Sequence, residues 1–268
     1  MDIQWSLVLF TALTGLGGWL FFFVGLNVLV GKTDKGAFAG TVAALALTVV
    51  GGCASVTHLS HPDRMLGALQ HPTSGIFTEA ALVGLLCIVL VAFLVMLKRS
   101  LTGTPLKAVA VIGMALGALM SFMAGQSYLM PAIAAWNTEL LPLGYLGTAA
   151  ASGAAAWLLL IAVQKADEAA VSFAGLMTLA GGCAALVTTL AYGAASGAFA
   201  GDAALLVGAA ALCGGAVPAV CGAFVWKKPG SAVAGGAVAL VAALAGSVAF
   251  RCAMWVIGAG LYDFFGLI

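Results

Sequence analysis

Charged side chains are scarce in this chain: Asp, Glu, Lys and Arg make up 7% of its 268 residues, whereas hydrophobic types make up 63%. A soluble domain carries about 25% charged residues, so this composition cannot provide a hydrated surface around a folded core. The mean hydropathy of +1.17 points the same way. We therefore predict an integral membrane protein.

Motifs for metal centres and nucleic-acid binding are also missing. The six cysteines stand singly in apolar stretches without CxxC or ferredoxin-like spacing, so we expect no iron–sulfur cluster, no other metal site and no disulfide. All three histidines (His58, His61 and His71) belong to one connection and cannot ligate a haem from facing helices. A formal net charge of +1 provides no basic surface for nucleic acid.

Long apolar runs dominate what is present. A helix needs about 20 apolar residues to cross a bilayer, and polar or Pro/Gly-containing breaks divide the chain into eight such stretches. The predicted fold is an all-α integral membrane protein, a bundle of eight transmembrane helices in a single domain over residues 1–268. The predicted spans are 5–30, 37–58, 76–97, 108–129, 141–163, 171–192, 203–225 and 232–257.

The basic residues predict the orientation of the bundle. Arg64 and Arg251 fall on one face, and eight others follow the odd-numbered helices on the opposite face. Basic loops stay cytoplasmic, so both termini are predicted on the outer face, together with His58 and Glu79. The eight cytoplasmic residues are Lys32, Lys35, Lys98, Arg99, Lys107, Lys165, Lys227 and Lys228.

Four ionisable residues from separate parts of the chain are predicted to meet at the outer face. His58 ends the second predicted helix, and a histidine with its usual pKa of about 6.5 can accept or release protons. Glu79 near the start of the third helix either caps that helix or, if buried, accepts protons. Arg251 either pairs with a carboxylate, reaches the headgroups or donates a hydrogen bond to a quinone-like carbonyl. Arg64 either joins this site or forms only a solvated loop pair with Asp63. Together the four residues suit hydroquinone oxidation, which needs polar contacts to the ring oxygens and a base for two protons.

Short motifs, in order along the chain, support the same interpretation. Residues 57–64 read Thr-His-Leu-Ser-His-Pro-Asp-Arg, residues 128–137 contain Tyr…Pro…Trp-Asn, and Glu79 and Arg251 stand early in helix 3 and late in helix 8. The set resembles the membrane anchor subunit of dimethyl sulfoxide reductase-type molybdoenzymes, whose segment after helix 2 is His-Leu-Gly-x-Pro-x-Arg. The departures from the family pattern are Ser60 for that glycine, Ser247 for a glutamate, and Gln126-Ser127 where an arginine is common.

The resemblance implies a non-autonomous subunit of a respiratory enzyme in the bacterial inner membrane. It would bind menaquinol near the outer face and pass electrons to a ferredoxin-like iron–sulfur subunit, which feeds a molybdopterin catalytic subunit. The chain itself would hold no haem, iron–sulfur or molybdenum cofactor. By the same resemblance, His58 and Glu79 would bind and deprotonate the quinol, while Arg64 and Arg251 would position the ring or the carboxylate.

Two other interpretations remain open at this point. One is a polysulfide- or nitrite-reductase-type anchor, which differs in its partner. The other is a secondary transporter or proton channel, for which internal repeats and helices broken near the midplane are typical. The chain shows no convincing repeat, and Pro218 inside the seventh predicted helix is the one feature that favours transport.

Overall fold

A computed structural model describes residues 3–57 and 74–258, and every regular element within them is helical. Eight helices are long and apolar enough to cross a membrane, which confirms the predicted all-α bundle. They are α1 (Trp5–Val30), α2 (Ala37–Val56), α3 (Gly75–Lys98), α4 (Thr104–Gln126), α5 (Leu140–Val163), α6 (Glu168–Ala195), α7 (Ala204–Lys227) and α8 (Ala232–Gly258).

Local chemistry sets several helix ends. Gly31 ends α1 in the left-handed conformation (φ 67°) and its N–H donates to the Asn27 carbonyl, a conformation that glycine adopts without steric cost. Ser74 begins α3, where its hydroxyl accepts a hydrogen bond from the Phe77 N–H at 3.1 Å. Asp167 caps α6 in the same way through the Ala170 N–H at 2.8 Å. These side chains satisfy amides that have no partner inside the helix.

The predicted fourth helix is displaced along the chain. Predicted as 108–129, it runs from Thr104 to Gln126, because Pro105 suits the first turn of a helix. The predicted second helix ended at His58, whereas α2 ends at Val56 with Thr57 in a turn. His58 itself lies outside the described residues. Hydropathy alone does not locate these helix ends, because residues in caps and turns are polar both just inside and just outside a helix.

Helices α1 and α5 occupy the centre of the bundle. Their most apolar windows are 72% and 67% buried, against 22% for α3. Helix α1 packs on α2, α4 and α5, and α5 packs on α6 and α8 as well. Helix α3 contacts mainly α2 and α4, so it stands at an edge with most of its apolar surface turned outward. In a membrane that surface meets lipid.

Glycine pairs bring the central helices into backbone contact. A Cβ placed on Gly117 would lie 2.8 Å from the Gly18 carbonyl carbon, and one placed on Gly18 would lie 2.8 Å from the Gly117 Cα. One turn away, Gly113 makes room for the ring of Phe21. In lipid, close packing replaces the hydrophobic force that joins helices in water. The Gly113–Gly117 spacing therefore reports packing of α1 on α4.

Helix α7 contains a π-helical turn over Leu212–Ala216, just before Pro218. Proline lacks the N–H that would bond one turn back, and a π turn absorbs such an interruption without ending the helix. The turn places Gly214 against Gly246 of α8, at 3.2 Å between a Cβ built on Gly214 and the Gly246 Cα. Pro218, which favoured a transporter, therefore accompanies a short π-helical turn within a continuous membrane-spanning helix.

The lysine-rich connections meet at one end of the bundle. Lys35, after α1, donates from its Nζ to the carbonyl of Lys165, after α5, at 2.6 Å. Gly36 packs against the ring of Trp157 near the end of α5. The connection between α4 and α5, and the two ends that flank the segment between α2 and α3, lie at the opposite end by alternation of the spans.

We predict that the lysine-rich end is cytoplasmic and that both termini face outward. Alkaline phosphatase fused after the last residue should be active in cells, and green fluorescent protein at the same position should be dark. The matched control is the same pair of reporters fused in the connection after Lys98, where the two signals should be reversed. Fluorescence at the C-terminus would contradict this orientation.

We also predict that Gly117→Val prevents assembly of the bundle, because the new side chain would meet the backbone of α1 around Gly18. Fluorescence-detected size exclusion in detergent should show loss of the folded peak. Gly208→Val is the matched control, since no described atom lies within 4 Å of a Cβ at Gly208, and it should leave the peak intact. Equal behaviour of the two variants would contradict the packing role.

Candidate functional site

A cavity of about 930 Å³ lies between α1, α2 and α3, where α4 ends. Its wall is mostly apolar, and Glu79 is the only acidic or basic side chain among the described residues that line it. The lining residues are Leu7 and Phe10 of α1; Val49, Gly52, Cys53, Ser55 and Val56 of α2; Ser74 and residues from Gly75 to Cys87 of α3; and Ser127 and Tyr128.

Glu79 stands one turn inside α3, and Ser74 serves two amides of the first turn. The Ser74 hydroxyl accepts from the Phe77 N–H, and the Ser74 carbonyl accepts from the Thr78 N–H at 3.0 Å. The half-buried side chain of Glu79 lies in the cavity wall, next to apolar surface that gives a carboxylate little solvation.

The end of α4 supplies the polar wall near Glu79. Gly75 packs so closely on Ser127 that an added Cβ would lie 3.1 Å from the Ser127 Oγ. The Ser127 hydroxyl donates to the Met123 carbonyl at 3.0 Å, so its oxygen retains the capacity to accept a hydrogen bond. Burial raises the pKa of Tyr128, which keeps its phenol protonated and able to donate.

Tyr128 connects the cavity wall with the bundle interior through a layered contact. Its ring stacks on Tyr145 of α5, with centroids 5.9 Å apart and planes at 29°. On Tyr145 lies the guanidinium of Arg251, with its Cζ 4.5 Å from the ring centroid. A cation over an aromatic face gains about 2 kcal/mol or more where water is excluded. The cavity and the buried cation are thus joined by two rings.

Arg251 is 0% exposed and is solvated by neutral groups of three helices. Its Nε donates to the Thr11 Oγ at 2.8 Å and one terminal nitrogen to the Thr11 carbonyl at 3.0 Å. The other terminal nitrogen donates to the Ser247 hydroxyl and carbonyl at 2.6 and 2.9 Å, and to the Thr148 hydroxyl at 3.4 Å. No carboxylate is among its described partners. Ser247, where a glutamate was expected in some family members, serves here as a neutral acceptor.

The structure brings together some of the predicted site residues and separates others. Glu79 lines the cavity, whereas Arg251 is absent from the described lining and does not reach toward headgroups, so that predicted alternative is wrong. His58, Arg64 and the other two histidines lie outside the described residues. The chain leaves the cavity wall at Val56 and returns to it at Ser74, so the predicted histidine segment joins two parts of the same wall.

Ser127, Tyr128 and Tyr145 were not predicted as site residues. Tyr128 belongs to a noticed motif, but nothing in its sequence neighbourhood shows that it faces α3. Tyr145 sits in an apolar run without any local signal. Their roles depend on how α4 and α5 pack, which a single sequence does not encode in a readable way.

Trp136 fixes the connection between α4 and α5 onto the end of α8. Its Nε1 donates to the Met254 carbonyl at 2.9 Å, and its ring meets Trp255 edge-on at 5.2 Å. Gly258 lies so close that a Cβ there would be 2.6 Å from the Trp136 ring. Tyr128 contacts both tryptophan rings. The connection therefore closes the bundle interior beside Tyr128 and helps hold this tyrosine in place.

Metal ligands do not converge in the described part of the chain: residues 3–57 and 74–258 contain no group of three His, Cys, Asp or Glu side chains able to hold a metal ion. The features that do converge are a large apolar cavity, a carboxylate in its wall and the hydroxyls of Ser127 and Tyr128 in the same wall. This arrangement defines the chain as a multi-pass membrane protein with a large, mainly apolar cavity.

Comparison with known families identifies the subunit. The model of the DMSO reductase anchor subunit (DmsC) matches residues 1–212, and the chain belongs to this family. The match includes α1 to α6 and every described residue of the cavity wall, while Arg251 lies beyond it. No curated protein matches the chain in a direct sequence comparison.

We predict that Thr11→Val lowers the free energy of unfolding by about 1.5–3 kcal/mol, because a buried guanidinium loses a hydrogen-bond acceptor. Thermal unfolding in detergent measures the change. Thr14→Val is the matched control: Thr14 is equally buried and donates to the Phe10 carbonyl, but it has no contact with Arg251 among its described bonds.

Adding Arg251→Met to Thr11→Val should recover part of that loss, since the charge that needs the acceptor is gone. Equal destabilisation by Thr11→Val and Thr14→Val, or no recovery in the double variant, would contradict the role assigned to this network.

Proposed function

We propose that this chain is the menaquinol-oxidising anchor of a DMSO reductase-type complex, with the quinol ring bound in the cavity beside Glu79. The observation that carries the proposal is the cavity itself: about 930 Å³, mostly apolar, with a single described carboxylate in its wall. Ligand sites in proteins are typically apolar concavities of this size with a few placed polar groups. Membership of an anchor family supports the same conclusion.

The cavity wall offers both an acceptor and a donor to a quinol ring. Glu79 lies on the α3 side of the cavity, and Ser127 and Tyr128 lie on the wall formed by the end of α4. The Glu79 carboxylate can accept a hydrogen bond from a ring hydroxyl, and the Tyr128 hydroxyl can donate one to a ring oxygen. The rings of Phe10 and Phe77 belong to the same wall and provide apolar surface for the faces of the ligand.

A bound menaquinol supplies two electrons and two protons as its two ring hydroxyls become carbonyls. Glu79 accepts one of these protons, and His58 is the second acceptor. Iron–sulfur clusters of a partner subunit take the electrons and pass them to a molybdopterin catalytic subunit. Arg64, from the same connection as His58, would help to position the ring or the Glu79 carboxylate.

Arg251 does not contact the ligand in this proposal and acts on it through two tyrosine rings. Its guanidinium supports Tyr145, and Tyr145 supports Tyr128 in the cavity wall. The positive charge near these two phenols favours the negative charge that develops as a quinol loses protons. Arg251 is therefore a positioning residue, and the contact with the ring falls to Tyr128.

The complex would sit in the bacterial inner membrane with the cavity toward the outer face. There the protons from the quinol would leave outside, and the electrons would go to the iron–sulfur partner. A polysulfide- or nitrite-reductase-type anchor shares most of this chemistry, but the family match favours the DMSO reductase type. Transport is disfavoured by that match and by the continuity of α7.

We predict that Glu79→Gln and His58→Ala each weaken binding of a fluorescent quinol-analogue inhibitor at least tenfold, which is about 1.4 kcal/mol. The measurement is titration of membranes that contain the assembled complex. The matched control is Glu139→Gln, which neutralises an exposed carboxylate outside the cavity wall and should leave the affinity unchanged.

Stoichiometric binding to the wild type, lost in either cavity variant, is the expected result. Tight binding that persists in both Glu79→Gln and His58→Ala would place the quinol elsewhere. Variants that fail to assemble with the iron–sulfur subunit would show instead that these residues serve the interface between subunits.

A further inference from the structure

We infer that the quinol enters the cavity sideways from the lipid, between α2 and α3, and that its apolar tail lies in this gap beside Gly84. The inference rests on the proposed function and adds the route of the substrate and the part of the wall that receives its tail. It follows from where the cavity is open, how deep it reaches and what borders the opening.

The cavity is open along the line between α2 and α3. Val49 and Cys53 of α2 and Ala80 and Gly84 of α3 all line it, and all four are exposed. The cavity is not enclosed, so it continues to the protein surface, and these four exposed residues border its opening. On the α1 side the wall is closed, because Phe10 is 3% exposed.

Gly84 widens this gap, unlike the glycines that pack the bundle. Beyond the adjacent backbone of its own helix, no described atom lies within 4 Å of a Cβ built on Gly84. On the facing helix, a Cβ on Gly52 would lie 3.3 Å from Val83, so Gly52 allows close packing of α2 on α3. At Gly117 the same construction runs into the backbone of α1. The missing side chain at Gly84 therefore leaves space and makes no helix contact.

The opening reaches far into the membrane. The lining follows α3 from Gly75 to Cys87, a separation of twelve residues, which at a rise of 1.5 Å per residue is about 18 Å. Half of a typical hydrocarbon core is about 15 Å. Glu79 lies near the helix end and Gly84 lies deeper. A ligand with a polar ring and a long apolar tail matches this gradient.

The surroundings of the opening are apolar and have no protein neighbour in the described chain. The outward face of α3 carries large exposed side chains near the gap, and α3 contacts mainly α2 and α4. In the membrane this rim faces acyl chains, so a ligand dissolved in the bilayer reaches the cavity without crossing water. The rim residues on α3 are Ile76, Leu85, Ile88 and Val91.

Gly84→Leu tests the inference, because its Cβ would meet no neighbouring side chain or helix and the rest of the side chain would occupy the gap. Two inhibitors are titrated into membranes holding the complex: a naphthoquinol analogue with a long isoprenoid tail and the same ring without a tail. We expect Gly84→Leu to weaken binding of the tailed compound at least tenfold and to change the tailless affinity less than threefold. Gly208→Leu is the control, since Gly208 is also helical, exposed and without a neighbour within 4 Å, and both affinities should stay unchanged.

A second measurement uses native thiols and needs no new side chain. Cys53 borders the gap and Cys183 on α6 is equally exposed. An apolar maleimide followed by peptide mass spectrometry should show that the tailed inhibitor protects Cys53, that the tailless one does not, and that Cys183 reacts at the same rate throughout.

The outcomes separate this inference from the proposed function. If Glu79→Gln abolishes binding of both compounds while Gly84→Leu affects neither, the site is correct and the lateral route is overturned. Equal loss of both compounds in Gly84→Leu also overturns it, because the tail would then have no separate place. Protection of Cys53 that is independent of inhibitor would mean that a membrane lipid occupies the gap, which again overturns the inference. Unchanged binding in Glu79→Gln and His58→Ala would instead remove the proposed function.

Discussion

Arg251 has to be solvated by the protein, because its guanidinium lies where neither water nor headgroups reach. Neutral oxygens of α1, α5 and α8 converge on it, so the charge fixes how these three helices meet. The face of the guanidinium that carries no hydrogen bond is covered by Tyr145, and Tyr145 in turn sets the position of Tyr128. Geometry at the cavity wall therefore depends on a charge that does not line the cavity. A neutral residue at this position would relax the constraint on all of these elements together.

The bundle has two kinds of helix contact, and each suits its location. Around α1 and α5, glycines allow backbones to touch, as at Gly18 and Gly117, and the resulting core is dense. Between α2 and α3, Gly84 leaves space beside the cavity. A small residue thus has opposite effects in the two places: it lets helices touch in the core and leaves a gap beside the cavity. Only the neighbours of each glycine, which the structure supplies, distinguish a packing contact from a gap.

The sequence predicted the number of helices and most of their limits because hydropathy and flanking charge are local properties. It also singled out Glu79, since a lone carboxylate near a membrane boundary is conspicuous in so apolar a chain. The neutral partners of Arg251 were not predicted, because alternation assigns a residue to an end of the bundle but does not show which groups surround its side chain. The role of Tyr145 and the walls of the cavity were beyond reach, as both arise from contacts between helices distant in the chain.

The low burial of helix α3 affects how stability is distributed over the bundle. It forms one wall of the cavity and is the least buried of the eight helices. From Leu86 onward it is held in the core, where Leu90 and Phe93 are also buried. Its earlier part, which carries Glu79, buries only Leu82. Segments with few buried contacts open at low free-energy cost, while the core opens only with global unfolding. Outward displacement of this earlier part of α3 would enlarge the cavity without disturbing the hydrogen bonds of Arg251. Ligand exchange thus involves one part of the bundle, and the stability of the fold depends on another. Binding and release of the ligand therefore do not weaken the fold.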